Sequence, residues 1–346
     1  MNEVFLPNAL IEETEATTKR RGFFRVALIF LLVYFIASMI MSTILTGPMM
    51  VAIFTDEAVS EALGGAFSGE ITDPDEFAQD YTDALLSVVE RLTTNMPAWL
   101  NLAQLFATVA TIITVLFYCV KIEKRRMFTL GFCKKGALAE YAVGLIIGLL
   151  MFSAAYLTII LNGELQFVGF NRDASFGLII LFFLGFVVQG ASEEILLRSY
   201  FFISGSASAN VPIGVFVSSA LFACMHISNP GISFMAIVNL FLFGVFAALY
   251  FLRRGSIWGI CAIHTVWNFA QGNIFGCKVS GMNMGESLFT SAETYGGTLW
   301  SGGSFGPEGG IGVTIVLTIG IVILTLMKNK NVDGGFVRKE EEFISA

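Results

Sequence analysis

The sequence predicts an all-α fold, a polytopic transmembrane helical bundle of about eight spans, and three observations lead there. Of the 346 residues 55% are hydrophobic and only 14% are charged, against roughly 25% charged in a soluble domain. Mean hydropathy is +0.75. The apolar residues also gather into runs of about 20, the length a helix needs to cross a bilayer core. No basic, aromatic-interleaved surface occurs, which argues against a nucleic-acid partner and leaves the lipid bilayer as the expected surroundings.

Taken in order, residues 1–25 are polar, with Glu3, Glu12, Glu13 and Glu15 ahead of Lys19, Arg20, Arg21 and Arg25. No small-residue cleavage pattern follows the first apolar run, so that run is expected to stay as an anchor. The expected spans are roughly 26–46, 98–120, 141–161, 177–199, 211–227, 232–252, 256–276 and 311–327, each near the length a crossing requires. With the N-terminus inside, the inner segments are 1–25, KIEKRRMFTLGFCKK (121–135), the turn after Arg198, the turn at Arg253–Arg254 and the tail 328–346. These hold 17 of the 20 Lys and Arg residues; Arg91, Arg172 and Lys278 fall outside. The positive-inside rule then places both termini in the cytoplasm.

Two outer loops are long. Residues 54–97 carry ten acids and one base, Arg91, and include DALLSVVERL, which suits a short amphipathic helix. Residues 277–310 are Gly-rich. Both read as solvated connectors. The five cysteines, Cys119, Cys133, Cys224, Cys261 and Cys277, have neither metal-knuckle spacing nor the look of a disulfide framework. The chain thus divides into an N-terminal tail (1–25), two spans with the acidic loop (26–140), a core (141–276), the Gly-rich loop (277–310), a last span (311–327) and a C-terminal tail (328–346).

Ionisable groups inside a membrane are costly and point to function. Here they are few: Glu193, Glu194 and Arg198 in GASEEILLRSYFF, His226 in LFACMHISNP, and His264 with Asn268 in CAIHTVWNFAQ. The two histidines are the only ones in the protein. On a helix Glu194 and Arg198 share a face and can pair, whereas Glu193 projects about 100° away and is left free. A poorly hydrated carboxylate is the stronger base, which suits general-base work. His264 and Asn268 also share a face, from which two donors can reach one oxyanion. His226 would orient the water or shuttle a proton. Each residue alone has a plainer role, as an ion pair, a hydrogen-bonded core histidine or interhelical glue. Their co-occurrence in three neighbouring spans favours chemistry: water attack on an amide. Gln104, Gln189 and Asn239 read as glue, and Cys224 and Cys261 are poorly spaced to act with the neighbouring histidines.

These residues resemble a known family. GASEEILLRSYFF is similar to the EExxxR signature of the CPBP/Abi intramembrane endopeptidases, the CAAX prenyl protease 2 type that also includes lysostaphin resistance protein A-like members. FACMH (222–226) resembles its FxxxH motif and HTVWN (264–268) its HxxxN motif. The resemblance covers roughly residues 141–276. It implies a membrane hydrolase, an endopeptidase opening to the cytoplasm. There Glu193 and His226 activate water, His264 and Asn268 form the oxyanion hole, and Glu194 and Arg198 support the site. The implied substrate is a membrane-associated peptide or protein. The long outer loops look bacterial, so a plasma-membrane location with a role in bacteriocin immunity or peptide maturation is expected, and a prenylated substrate is not.

Other readings stay open. Glu193, His226 and His264 are also a common zinc set, although HExxH spacing is absent and Asn268 suits an oxyanion donor better; the expectation is no cofactor. A non-catalytic scaffold or immunity protein of the same fold is the competing function. One point of geometry strains the site. At 1.5 Å per residue Glu193 lies about 24 Å below the outer end of its expected span, and His226 about 22 Å up from residue 211. The two depths disagree, so 201–212 is not expected to be a surface loop, and the fifth helix must start or tilt differently.

Overall fold

The computed structural model describes residues 5–17, 22–68, 71, 73–94, 96–294 and 297–327; Glu3, Lys19, Arg20, Arg21 and the tail 328–346 lie outside them. The chain forms α1 (Ala9–Thr17), α2 (Phe23–Phe54), α3 (Glu57–Ser68), α4 (Pro74–Thr94), α5 (Ala98–Ala107) and α6 (Val109–Phe117), then α7 (Ala137–Leu161), strand β1 (Leu165–Phe170) and α8 (Phe176–Glu194). Next come α9 (Ile203–Ser208), α10 (Val211–Met225), α11 (Phe234–Arg254), α12 (Ile257–Phe269), strand β2 (Phe289–Glu293) and α13 (Ile311–Leu326). Among the described residues five helices are long and apolar enough to cross a membrane: Phe23–Phe54, Ala98–Ile122, Ala137–Leu161, Phe176–Ser208 and Phe234–Arg254. This is an integral membrane protein. Large apolar side chains such as Leu150, Leu161, Ile180, Phe216 and Ile319 face outward, as lipid contact requires.

The other three expected spans are also helical but shorter. The fifth and eighth are α10 and α13, of 15 and 16 residues. The seventh is α12, extended by a wide π turn over Ala270–Ile274. Helix starts follow local capping chemistry. Ser175 accepts from the Leu178 N–H to open α8, Asn210 from Ile213 to open α10, and Ser233 from Ala236 to open α11.

The fourth span corrects the expectation of a turn after Arg198. From Glu194 the helix runs on through a π turn (Ile195–Phe202) into α9 and ends at Ser208. Arg198 is therefore mid-helix and fully buried, and it does not count among the loop bases. This resolves the depth conflict. Glu193 lies 15 residues before Ser208 and His226 15 residues after Val211, so both stand about 22 Å from the α9–α10 turn.

The connectors are built structures rather than solvated loops. Residues 54–97 form the α3–α4 helical pair, with DALLSVVERL inside α4. Val59, Ala62, Val88 and Leu92 make a small core there with Leu100, and Arg91 pairs with Asp56 at 2.6 Å. In the Gly-rich segment β2 pairs antiparallel with β1, and two short turns (Gly303–Phe305, Pro307–Gly309) follow. Within the N-terminal segment α1 packs against α9. Its Thr14 accepts from Arg125, a buried cation that also reaches Thr129 and Ser204.

α12 is the buried axis of the fold, packed on α7, α8 and α11. The approach of α7 depends on Gly144 and Gly148: a Cβ at Gly148 would stand 2.6 Å from the Ile263 carbonyl oxygen, in the way small residues permit close helix packing in lipid. Gly148→Leu is therefore expected to destabilise by at least about 1–3 kcal/mol through overpacking, read as a fall in melting temperature. Gly177→Ala, at a position with open space around it, should show no such fall.

Candidate active site

The six residues singled out above come together around one cavity of about 340 Å³. Glu193, His226, His264 and Asn268 line it, as do Gln189, Phe222 and Phe243. Three helices supply the chemistry: α8 the carboxylates, the end of α10 His226, and α12 His264 and Asn268. α8 and α12 can approach because Gly190 has no side chain; a Cβ there would stand 3.1 Å from the Thr265 nitrogen. Three residues later the two glutamates therefore emerge beside His264.

The glutamates have different surroundings. Glu194 is completely buried behind the cavity wall. Its Oε1 accepts from His264 Nδ1 at 2.8 Å, and its Oε2 lies 3.1 Å from Arg198 Nε. That ion pair is close but poorly angled for a hydrogen bond, so it holds by charge rather than by a linear bond. Arg198 further donates to the Gly244 carbonyl at 3.4 Å and lies 4.8 Å above the Phe222 ring. Burial of such a pair is tolerable only while both partners are present. Glu193, by contrast, is at the cavity wall. Its Oε1 accepts from Gln189 Nε2 at 2.6 Å, whereas no donor reaches Oε2 among the described residues. Oε2 stands 3.7 Å from His264 Nε2, beyond direct hydrogen bonding and close enough for one water to touch both.

The histidine tautomers follow from their partners. A carbonyl oxygen only accepts, so the 2.8 Å contact of His226 Nδ1 with the Phe222 carbonyl puts the proton on Nδ1 and leaves Nε2 as an acceptor. His264 likewise donates from Nδ1 to Glu194, and its Nε2 is the edge nearest Glu193. The aromatic residue of FACMH has a visible purpose: the Phe222 ring lies 4.8 Å from His226 and 6.0 Å from His264, between them and Arg198.

Gln189 is the residue that sequence reasoning undervalued as glue. It accepts from Asn268 Nδ2 at 3.0 Å and donates to Glu193, so a single amide links the two sides of the site. The available signal was its position one helical turn before Glu193, on the same face. Gln189→Leu should cut this link and lower kcat by about 10²-fold through misplacement, with little change in melting temperature. Cys224 is exposed and Cys261 buried, and neither lines the cavity. Among the described residues no three His, Cys, Asp or Glu side chains are grouped so as to hold a metal ion.

Fold and site together define a helical membrane protein with a buried Glu, His and Asn constellation opening on a largely apolar cavity. Residues 175–270 match the family model of the type II CAAX prenyl endopeptidases, described as Rce1-like. The matched stretch runs from the cap of α8 to just past Asn268 and so includes Glu193, Glu194, Arg198, His226, His264 and Asn268. No curated protein and no solved structure matches the chain.

Proposed function

We propose that the protein is an intramembrane endopeptidase that hydrolyses a peptide bond of a membrane-associated peptide or protein, with Glu193 as general base and no metal. The observation that carries this reading is the unpartnered Glu193 Oε2, 3.7 Å from His264 Nε2 in a cavity shared with His226 and Asn268. A water held between Glu193 Oε2 and His226 Nε2 would lose its proton to Glu193 as its oxygen attacks the carbonyl carbon. The oxyanion formed would take hydrogen bonds from His264 Nε2–H, on a ring protonated at both nitrogens, and from the second N–H of Asn268. Glu193 would return the proton to the amine nitrogen as the C–N bond breaks.

Glu194 and Arg198 act through His264, holding its ring so that Nε2 faces the cavity. The catalytic core corresponds to residues 141–276, with both termini cytoplasmic. A bacterial plasma membrane and a role in peptide maturation or bacteriocin immunity fit this reading. Cleavage of a peptide by the protein in lipid nanodiscs should survive exhaustive chelation, with no zinc by elemental analysis. Chelator-sensitive activity that zinc restores would sink the mechanism.

A further inference from the structure

A second carboxylate lines the cavity, far in sequence from the motifs. Glu308 sits in the Pro307–Gly309 turn of the Gly-rich segment and is 8% exposed. Its Oε2 accepts three hydrogen bonds, from the Ser280 N–H at 2.7 Å, the Ser280 hydroxyl at 2.8 Å and Gln271 Nε2 at 3.2 Å. Its main chain is held as well. Asn239 Nδ2 donates to the Glu308 and Gly310 carbonyls at 2.7 and 2.8 Å, while Asn239 Oδ1 accepts from Thr314 at 2.6 Å. Among the described residues no donor reaches Glu308 Oε1. An amide could make the same three contacts without the cost of burying a charge. The carboxylate is instead kept, rigidly placed, with one oxygen unused. Among the described residues the cavity lining contains Glu193 and Glu308 but no Lys or Arg, and the charge of His264 is matched by Glu194. The counter-charge is therefore left for a ligand to bring.

We infer that Glu308 is a recognition site for a positively charged group of the substrate, an ammonium or guanidinium carried by the peptide to be cut. The inference rests on the peptidase reading and gives it a substrate class. It also has a register. Gln271, in the π turn that extends α12, follows His264 by seven residues and Asn268 by three, so Glu308 is anchored about 5–10 Å along the helix from the two oxyanion donors. An extended peptide rises about 3.3 Å per residue. The basic group then belongs about two to three residues from the bond that is cut.

The test is mass-spectrometric profiling of a defined peptide library with the full-length protein in nanodiscs. Lys or Arg should be enriched at one position about two to three residues from the cut, since the spacing along the helix sets it. Replacing that Lys by Nε-acetyl-lysine should cost about 10- to 100-fold in kcat/KM, the value of a charge-assisted hydrogen bond. Glu308→Gln should erase the preference, and Glu308→Lys should shift it towards Asp and Glu. An N-acetylated library separates the two sources: enrichment retained identifies a side chain, enrichment lost a peptide N-terminus. Equal cleavage of Lys and acetyl-lysine peptides by the unmodified protein, which needs no variant to fold, would overturn the inference, as would an unchanged preference in Glu308→Gln. Should no peptide be cut, the peptidase reading fails by itself. The same library is then passed over the Glu193→Gln variant: selective retention of basic peptides, lost on adding Glu308→Gln, supports recognition, and unselective or absent retention refutes it.

Discussion

Glu193→Gln is expected to abolish peptide hydrolysis while leaving the protein folded. The carboxamide has the shape of the carboxylate, and its oxygen can still accept from Gln189 Nε2 in place of Oε1. What disappears is the lone pair at Oε2, the atom without a donor beside His264. An amide nitrogen there cannot take a proton from water. Loss of a general base costs about 10²–10⁴-fold, read as kcat for a cleaved peptide at saturating concentration. Thermal stability should hold, because Glu193 is at the cavity wall and does not belong to the buried ion pair. Activity within a few-fold of the unmodified protein would remove Glu193 from the chemistry and favour the scaffold reading.

The second large effect concerns Arg198. Arg198→Met leaves Glu194 fully buried with His264 as its remaining partner. Removing one member of a buried pair costs about 3–5 kcal/mol, a large part of the roughly 5–15 kcal/mol that keeps a domain folded. The variant should therefore be recovered poorly and melt early. Replacing both members, Glu194→Leu with Arg198→Met, should restore much of the melting temperature, because no uncompensated charge remains. It should not restore cleavage, since His264 Nδ1 has lost the acceptor that orients the ring. That split between stability and activity separates a positioning role from a merely structural one. A double variant as active as the unmodified protein would show that Glu194 does not position His264.

What was legible in the sequence is what depends on local spacing. The four-residue interval of Glu194 and Arg198 and that of His264 and Asn268 each put two side chains on one helix face, and the adjacency of the glutamates separated their surroundings. The helix boundary after Arg198 was not legible from the charge pattern, and only the depth conflict of Glu193 and His226 pointed away from a surface loop there. A cation normally marks a membrane edge, and its burial is tolerable only through partners the local sequence does not announce: Glu194, the Gly244 carbonyl and the Phe222 ring. Gln189 was hidden because a lone amide in an apolar run is ordinary glue until its two partners are known. Glu308 was hidden more deeply. Its anchors, Ser280 and Gln271, lie in a Gly-rich stretch and at the end of α12, and composition alone gives such a stretch no shape.

The most direct test of glutamate-driven hydrolysis is a single-turnover cleavage in water enriched in heavy oxygen, with enzyme in excess and the new carboxyl terminus analysed by mass. If Glu193 directs water onto the carbonyl, the first-turnover product carries one heavy oxygen atom, Glu193 carries none, and the Glu193→Gln variant yields no product. A heavy oxygen appearing in Glu193, or labelled product formed at an undiminished rate by Glu193→Gln, would contradict the account.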